Sequence, residues 1–357
     1  MKDTIRRIHE LAASLGRQVR LMEVCGTHTV AIFRHGIRTI LPEGIRLLSG
    51  PGCPVCVTAV RDVETAMALS GFGDVILTTF GDMMRVPGIS KSLFDAKAEG
   101  GDIRIVYSPL DALDIASGKP EKKVVFFATG FETTSPSVAG TLMEADRRGI
   151  ANFYVYPVHK TVPPALQALL DSGEVMVDGF ILPGHVSTVI GARPYSFIPS
   201  LYHKPSVITG FDAGDILSGV RMLLEQMAAG VASVQIQYSR VVREEGNPRA
   251  IAVLEEFFEP EDAEWRGIGV IPGSGLRLRE KYRRRDIRTV YNPPVAGIPK
   301  TTVCSCGDVL KGVKTPIDCK LFGKGCTPDH PVGPCMVSAE GSCSAFYKYQ
   351  SVPGIRL

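Results

Sequence analysis

The stretch VRLMEVCGTHT, residues 19–29, carries the pattern that decides the fold. An apolar segment, Val19 to Val24, runs directly into the polar turn Cys25 to Thr29. The same order recurs in IRLLSGPGCPVC at residues 45–56 and in VVFFATGFETT at residues 124–134. Short apolar strands that alternate with polar turns and helical stretches are typical of parallel α/β layers. The sequence therefore predicts an α/β fold.

Further strands of this kind repeat along the chain. The predicted strands are residues 19–24, 45–48, 75–77, 103–106, 124–127, 153–156, 180–182 and 207–208. The stretch GKPEKK at residues 118–123 has the composition of a linker. We therefore predict two Rossmann-like parallel α/β units flanking a cleft, in domains 1–118 and 119–240. Their polar turns should gather at the carboxyl ends of the strands, where open α/β sheets bind ligands.

The last part of the chain has a different character. A helix is predicted at residues 249–258 and a glycine-rich strand around residues 268–276, and six of the nine cysteines follow between Cys304 and Cys343. A segment so rich in Cys, Gly and Pro builds little apolar core and depends on metal ligation or bridging for stability. We predict a third domain, 241–357, that holds an iron-sulfur cluster or another metal.

Composition narrows the possible functions. The 357 residues carry a formal net charge of +3. The basic run at residues 279–285 could meet an acidic partner, but the pattern favours a solvated basic face, and we predict no nucleic-acid binding. The amphipathic N-terminal segment, residues 2–15, has no continuous apolar core, and no 18-residue apolar run follows. We expect a cytoplasmic protein without a membrane segment. Cysteines in a reducing compartment favour metal binding or thiol redox chemistry over structural disulfides.

The C-terminal cysteines are candidate metal ligands. They are Cys304, Cys306, Cys319, Cys326, Cys335 and Cys343. Soft thiolates select zinc or iron-sulfur clusters, and four of them are enough for either. Spacing leaves both open, although the absence of paired Cys-x2-Cys knuckles favours a cluster. Composition does not choose which four cysteines bind.

Two earlier motifs offer reactive thiols. Cys53 and Cys56 form a Cys-x-x-Cys at the start of a predicted helix, 57–69, where the helix dipole favours a thiolate. This pair suits thiol-disulfide exchange or metal binding, and an inert buried pair is the alternative. Cys25 and His28 share one turn and offer a thiolate and an imidazole to a transition metal such as iron. A structural Cys beside a surface His is the alternative.

Other polar residues also follow predicted strands. They are Asp82, Glu132, His159, His185 and Asp212. Each has a possible role in a binding cleft and an equally ordinary role as a hydrogen-bonded or capping residue. No phosphate-binding loop or dinucleotide fingerprint is present, so we expect no bound nucleotide.

The order of these motifs resembles the HypD family of nickel-iron hydrogenase maturation factors. The matching segments are CGTHT at residues 25–29, GPGCPVC at 50–56, FGDM at 80–83, ATGFETT at 128–134 and the Cys-rich tail. Each segment alone is weak, but their order over nearly the whole chain is specific.

The resemblance implies a maturation scaffold. In that scheme the protein pairs with a small partner, HypC, to hold one iron atom while cyanide and carbon monoxide are attached, and HypE donates the cyanide. Cys25 would be the iron-ligating thiolate with His28 close by, and Cys53 and Cys56 a thiol-disulfide pair. The cysteine ligands of a 4Fe-4S cluster would be Cys306, Cys319, Cys326 and Cys343. Cys304 and Cys335 would remain as a second redox pair.

Three functions stay open at this point. The first is a scaffold and electron relay, in which electrons pass from the cluster through the thiol pairs to the iron site at Cys25. The second is an enzyme, a cluster-dependent disulfide reductase that uses Cys53 and Cys56. The third is a zinc-stabilised binding module without a redox role. Whether the protein is an enzyme is therefore not decided by the sequence.

Overall fold

The computed structural model of the protein describes residues 1–295, 297 and 303–349. Its strands are β1 Val19–Glu23, β2 Ile45–Ser49, β3 Val75–Thr79, β4 Ile103–Ile105, β5 Lys123–Ala128, β6 Phe153–Pro157, β7 Gly179–Leu182, β8 Ser206–Ile208, β9 Val234–Ile236, β10 Phe258–Trp265 and β11 Gly269–Leu278. Within the described residues no helix has the length and apolar character needed to cross a membrane.

Most strands are followed by a helix. The α-helices are α1 Lys2–Leu15, α2 Gly26–Arg34, α3 Ile37–Ile40, α4 Pro54–Val57, α5 Val60–Ser70, α6 Leu93–Ala98, α7 Pro109–Gly118, α8 Ser135–Arg147, α9 Val162–Asp171, α10 Gly184–Ile190, α11 Phe197–Tyr202, α12 Ala213–Ala228, α13 Pro248–Phe257, α14 Cys306–Leu310, α15 Pro334–Val337 and α16 Ser342–Tyr349. Short 3₁₀ helices lie at Gly81–Arg85, Arg193–Tyr195, Glu280–Arg285, Ile287–Thr289 and Pro316–Asp318.

The chain forms two compact units, and the first contains a five-stranded parallel sheet. This unit comprises residues 1–53, 162–248 and 304–357, as far as they are described. Its strand order is β2-β1-β7-β8-β9. The helix α1 buries Ile8 and Leu11 beside this sheet and ends at Gly16, whose positive φ of 61° favours glycine. A sheet covered on its faces explains why β7 has no polar side chain and why four of the five residues of β1 are buried.

The second unit comprises residues 54–161 and 249–303, as far as they are described. It holds a four-stranded parallel sheet in the order β4-β3-β5-β6 and an antiparallel hairpin of β10 and β11. Phe126 and Phe153 from the sheet pack with Phe258 and Leu278 from the hairpin in one apolar core. Burial of such side chains contributes roughly 1.5–3 kcal/mol each to the stability of this unit.

The predicted α/β class with two parallel sheets is confirmed, but the units do not follow the predicted domains 1–118, 119–240 and 241–357. The cause is strand pairing between segments far apart in the chain: Leu21 in β1 pairs with Gly179 in β7. The stretch 118–123 is no interdomain linker, because Val75 in β3 pairs with Lys123 in β5 within one sheet.

Smaller differences concern individual elements. The helix expected at residues 57–69 is two helices, α4 and α5, and the strands β9 and β10 were not predicted. In the basic run Lys281 pairs with Glu256, while Arg285 is buried and pairs with Asp146. That run therefore contains a structural arginine as well as solvated charges.

Candidate functional site: a buried thiol turn and a cysteine-lined cavity

Cys25 lies in the turn between β1 and α2, at the carboxyl edge of the five-stranded sheet. Two backbone hydrogen bonds join this turn to the loop after β2: Gly26 N–H donates to the Gly52 carbonyl at 3.0 Å, and Gly50 N–H donates to the Glu23 carbonyl at 2.8 Å. The Cys25 turn is therefore fixed to the residue that precedes Cys53.

Glycine is required on both sides of this contact. A β-carbon at Gly52 would overlap the backbone of Val24 and Cys25, and one at Gly26 would overlap Glu340. These positions let the two loops and the C-terminal region approach Cys25 more closely than side chains would permit. The glycines of the CGTHT and GPGCPVC segments thus have a packing role.

The Cys25 side chain is only 8% exposed. Burial raises the pKa of its thiol to about 12, and the nearby Glu340 carboxylate acts in the same direction. The backbone N–H groups of His28 and Thr27 favour the thiolate but do not outweigh burial. Without a bound cation Cys25 is therefore a thiol at neutral pH, and metal binding would have to release its proton.

His28 is completely buried, with its Nε2 near the Gly210 carbonyl and the Thr209 hydroxyl, both at 2.9 Å. Because a carbonyl only accepts, Nε2 carries the proton and Nδ1 is the unprotonated nitrogen. Burial lowers the pKa of His28 to about 4, so the ring is neutral. Nδ1 has no partner among the described residues. The structure therefore leaves one histidine nitrogen available beside the Cys25 turn.

An aromatic stack continues from this histidine. Phe211, after β8, lies with its ring 4.7 Å from His28 and 4.0 Å from His185, after β7. His185 is exposed, whereas His28 is not. The parallel strands thus bring His28 and His185 against the same phenyl ring, which the sequence did not predict.

Glu23, at the end of β1, is a functional candidate that the sequence analysis missed. It is fully buried, and burial raises the pKa of its carboxyl to about 8. Hydrogen bonds to Ser49 and Thr29 and the charge of Arg38 lower this pKa, but they do not outweigh burial. The Thr29 hydroxyl donates to its Oε1 at 2.8 Å. The available signal was an acidic residue directly after the apolar pair Leu21 and Met22 of a predicted strand, because a buried acidic residue is rare without a partner.

Glu340, between α15 and α16, is the second residue missed. It accepts a hydrogen bond of 2.7 Å from the Thr27 hydroxyl, in the turn that carries Cys25. The next residue, Gly341, packs against the backbone of Cys335. Nothing in the local sequence indicates this contact, because Thr27 and Glu340 are distant in the chain. The Cys25 turn and the cysteine-rich region are therefore physically connected.

A second connection joins the helices α2 and α16. Phe33 and Phe346 pack edge to face with ring centroids 4.4 Å apart, and the Arg38 guanidinium lies 4.7 Å from the Phe33 ring and 5.4 Å from the Phe346 ring. Aromatic and cation–π contacts of this kind each contribute about 0.5–1.5 kcal/mol. They hold the helix α16 of the cysteine-rich region against α2 and α3.

The two cysteines of the Cys-x-x-Cys motif, Cys53 and Cys56, form a disulfide in the structure. The other seven cysteines are not disulfide-bonded. Both are buried, and the short helix α4 begins directly after Cys53. The residues are therefore placed to form the oxidised half of a thiol-disulfide pair, and their redox role stays a prediction.

Five of the C-terminal cysteines line one small cavity. They are Cys304, Cys306, Cys319, Cys326 and Cys343, and the rest of the lining is Ser305, Val309, Leu321, Phe322, Gly333 and Met336. No carboxylate or imidazole lines it among the described residues. A wall of thiols and apolar groups suits a soft, thiolate-bound metal centre. Cys335 is buried nearby but does not line the cavity.

The sulfur environments differ within this group. Thiols of Cys304, Cys335 and Cys343 donate to Cys306, and this lowers the pKa of Cys306. Burial disfavours the Cys319 thiolate, but nearby donors together lower the pKa of that thiol. Val332 N–H donates to the Cys326 sulfur at 3.3 Å. Hydrogen bonds to sulfur are one means by which proteins tune iron-sulfur clusters.

The described residues contain no set of three or more His, Cys, Asp and Glu side chains gathered around one point as for a single ion. A four-iron cluster binds each cysteine through a different iron, so its ligands surround a volume. The four cysteines that the HypD resemblance assigns, Cys306, Cys319, Cys326 and Cys343, all line the cavity. The donor set therefore fits such a cluster.

In the second unit, polar residues also follow the carboxyl ends of strands. Lys160, after β6, is buried with its Nζ 3.5 Å from Asp62, which also accepts a hydrogen bond from Tyr156 at 3.2 Å. His159 is 1% exposed and its two ring nitrogens have no partner among the described residues. Burial lowers the pKa of His159 to about 3. Glu132 lies in the turn before α8, whose N-cap residue is Thr134, so the segment 131–134 leads into a helix as the capping alternative expected.

These features define a class: a protein of two parallel α/β units in which a buried thiol turn adjoins a Cys-rich region. Comparison with known proteins identifies the family. Residues 1–350 match the HypD family model, described as "Hydrogenase formation hypA family". The chain belongs to the HypD family of hydrogenase maturation factors.

Individual relatives cover almost the whole chain. The hydrogenase maturation factor HypD of Rhodobacter capsulatus is 46% identical over 354 residues, 98% of this chain and 94% of the relative. The HypD factor of Escherichia coli K12 is 45% identical, covering 96% and 92%. A putative hydrogenase expression/formation protein of Methanocaldococcus jannaschii is 44% identical, covering 99% and 98%. These matches support a role in hydrogenase maturation.

Proposed function

We propose that the protein is a scaffold on which, together with a HypC partner, one iron atom is held while cyanide and carbon monoxide are attached to it. HypE acts as the transient cyanide donor, and the assembly works in the cytoplasm. The iron is cargo in this scheme, and the Cys25 sulfur is the ligand that this chain provides. Membership of the maturation family supports the reaction class.

One observation carries the proposal: the buried Cys25 thiol lies between the loop that leads to Cys53 and the Glu340 loop of the cysteine-rich region. Iron that carries cyanide and carbon monoxide needs a soft ligand and a site shielded from water. The 8% exposure of Cys25 meets the second requirement. Its raised pKa keeps the thiol protonated and protected until a cation displaces the proton.

The cysteine-lined cavity gives the proposal its electron source. A 4Fe-4S cluster bound by Cys306, Cys319, Cys326 and Cys343 would supply single electrons. Reduction of the Cys53–Cys56 disulfide takes up two electrons and two protons and breaks the sulfur–sulfur bond to give two thiols. The chain's own contribution is to hold this disulfide next to Gly52, which contacts the Cys25 turn.

A cluster-dependent disulfide reductase is the second candidate. The Cys53–Cys56 disulfide supports it, because a reductase needs such a pair. In that function the pair reacts with a protein substrate, and Cys25 has no direct part. The two candidates therefore make opposite predictions for Cys25 and agree for Cys53 and Cys56.

Substitution of Cys25 separates them. We expect Cys25→Ala to abolish hydrogenase maturation and to remove iron from the complex with HypC, while absorption of the cluster remains at the wild-type level. The measurements are hydrogenase activity in cells that lack the natural copy and iron content of the purified complex. Cys25→Ser is the matched control for packing, because it keeps the shape of the side chain more closely than alanine and replaces only the soft sulfur.

Substitution of Cys53 provides the comparison with Cys25→Ala. Cys53→Ala should also stop maturation, but it should leave iron bound at Cys25. Normal maturation by the Cys25→Ala variant would refute the scaffold function and favour the reductase. A purified wild-type protein that contains zinc and no visible absorption would remove the electron relay and leave only a binding scaffold.

A further inference from the structure

More cysteines line the cavity than a four-iron cluster binds. The cluster needs four thiolates, whereas five cysteine side chains surround the space. The additional one is Cys304, which the family pattern does not use. This surplus raises the question of which sulfur occupies the fourth position.

Cys304 and Cys306 are close enough to compete for that position. Their sulfur atoms are 3.0 Å apart, and the Cys304 thiol donates to Cys306. Both side chains belong to one short segment directly before and at the start of α14. A change of side-chain rotamer, without movement of a domain, would exchange one sulfur for the other.

Gly333 holds this pair against the cavity wall. A β-carbon at this position would overlap the sulfur of Cys304 and the sulfur of Cys306. The residue thus leaves room for two sulfurs where a larger side chain would leave room for fewer. Cys335 also contacts Cys306 but is outside the cavity lining, so it lacks the position of a ligand.

We propose that Cys304 is an alternative ligand of the cluster that replaces Cys306. The inference rests on the cluster of the proposed function. In the exchange the iron–sulfur bond to Cys306 breaks and one to Cys304 forms, while the Cys304 proton passes to the Cys306 thiolate. No electron is gained or lost. The chain thereby obtains a thiol at Cys306, in contact with Cys335 and Cys343, without losing the cluster.

The test uses the full-length protein purified without oxygen, with iron and sulfide analysis, visible absorption and electron paramagnetic resonance of the reduced cluster. We expect Cys306→Ala and Cys304→Ala each to keep the wild-type iron content. The double variant should lose it as completely as Cys319→Ala, the control for a ligand without a neighbour that can replace it. The Cys306→Ala spectrum should differ from the wild-type spectrum because its fourth sulfur is different.

Two results would overturn the inference: a Cys306→Ala protein as iron-poor as Cys319→Ala, or a double variant that keeps its cluster. Cys306→Ala combined with Cys335→Ala should retain iron, and loss there would assign the replacement to Cys335. If Cys306→Ala does not fold, Cys306→Val fills the space and gives the same comparison. A wild-type protein without iron and sulfide would refute the proposed cluster itself, which is a distinct outcome from loss in Cys306→Ala alone.

Discussion

The Cys25 turn and the cysteine-rich region belong to the same compact unit, yet they hold their sulfur atoms by different means. The turn is fixed by backbone hydrogen bonds to a neighbouring loop and by glycines that permit close approach. The region from Cys304 to Tyr349 has only short helices, and its thiols contact one another. The comparison teaches that the first site is formed by the sheet, whereas the second should depend on the metal centre that we propose for its sulfurs.

Removal of the proposed metal centre tests this difference most strongly. After iron is extracted from the anaerobic protein with a chelator, amides in the cysteine-rich region should exchange with deuterium about 100-fold faster or more, because a metal-dependent segment loses its stabilising bonds. Amides in β1, β7 and β8 should keep their protection. Hydrogen exchange followed by mass spectrometry measures both regions in one sample.

Equal loss of protection in both regions would break the comparison. It would mean that the sheet edge around Cys25 also depends on the metal. The contacts of Phe346 with Phe33 and of Glu340 with Thr27 are the routes by which such dependence would arise.

Substitution of Gly52 tests whether the close approach of the neighbouring loop stabilises the Cys25 turn. Gly52→Ala places a methyl group against the backbone of Cys25 and should lower the free energy of unfolding by about 1–3 kcal/mol. Urea unfolding of the metal-free protein, followed by circular dichroism, measures the loss. Gly214→Ala is the matched control, because nothing lies within 4 Å of the added carbon in α12.

The control should be neutral or slightly stabilising, since alanine favours a helix over glycine. Should Gly52→Ala be as stable as Gly214→Ala, the close approach of the two loops would not be what fixes Cys25.

Acid sensitivity tests a buried histidine that lies outside both cysteine regions. The pKa of His159 is lowered to about 3 from 6.5, so between these values the unfolded chain binds a proton that the folded chain does not. Stability from this residue is therefore present above pH 6.5 and is lost as the pH falls toward 3, by on the order of 1 kcal/mol per pH unit. His159→Leu should remove this slope.

The measurement is the difference in unfolding free energy between wild type and His159→Leu at pH 4 and at pH 7. The variant should gain relative to wild type at the lower pH, while His35→Leu, at an exposed position, should show no such gain. A difference that does not change with pH would show that His159 is not kept neutral by burial.

The fold class followed from sequence because each strand joins an apolar segment to a polar turn. β1 and β5 were predicted almost to the residue on this pattern. The strand β10 was missed because its segment, FEPEDAEW, is acidic and contains Pro260, and it forms only through pairing with β11. Local composition cannot show such pairing. It also cannot show that Leu21 pairs with Gly179, which places distant segments of the chain in one unit.

The candidate site divides in the same way. The motifs indicated Cys25, Cys53, Cys56 and the C-terminal cysteines, since thiols at these spacings have few ordinary explanations. Glu340 could not be predicted from the sequence, because its role depends on contact with Thr27, which is far away in the chain. Glu23 could have been predicted, since an acidic residue directly after Leu21 and Met22 in a predicted strand indicates a buried carboxyl.

The interleaved course of the chain has a consequence during synthesis on the ribosome. β1 and β2 emerge first, but the neighbour of β1 on its other side, β7, begins only at Gly179, after the whole four-stranded sheet of the second unit. Domains generally fold as they emerge, from the N-terminus onward. The sheet of the second unit can therefore form before β7, β8 and Glu340 have emerged, so the surroundings of Cys25 are complete only after Glu340 has been synthesised.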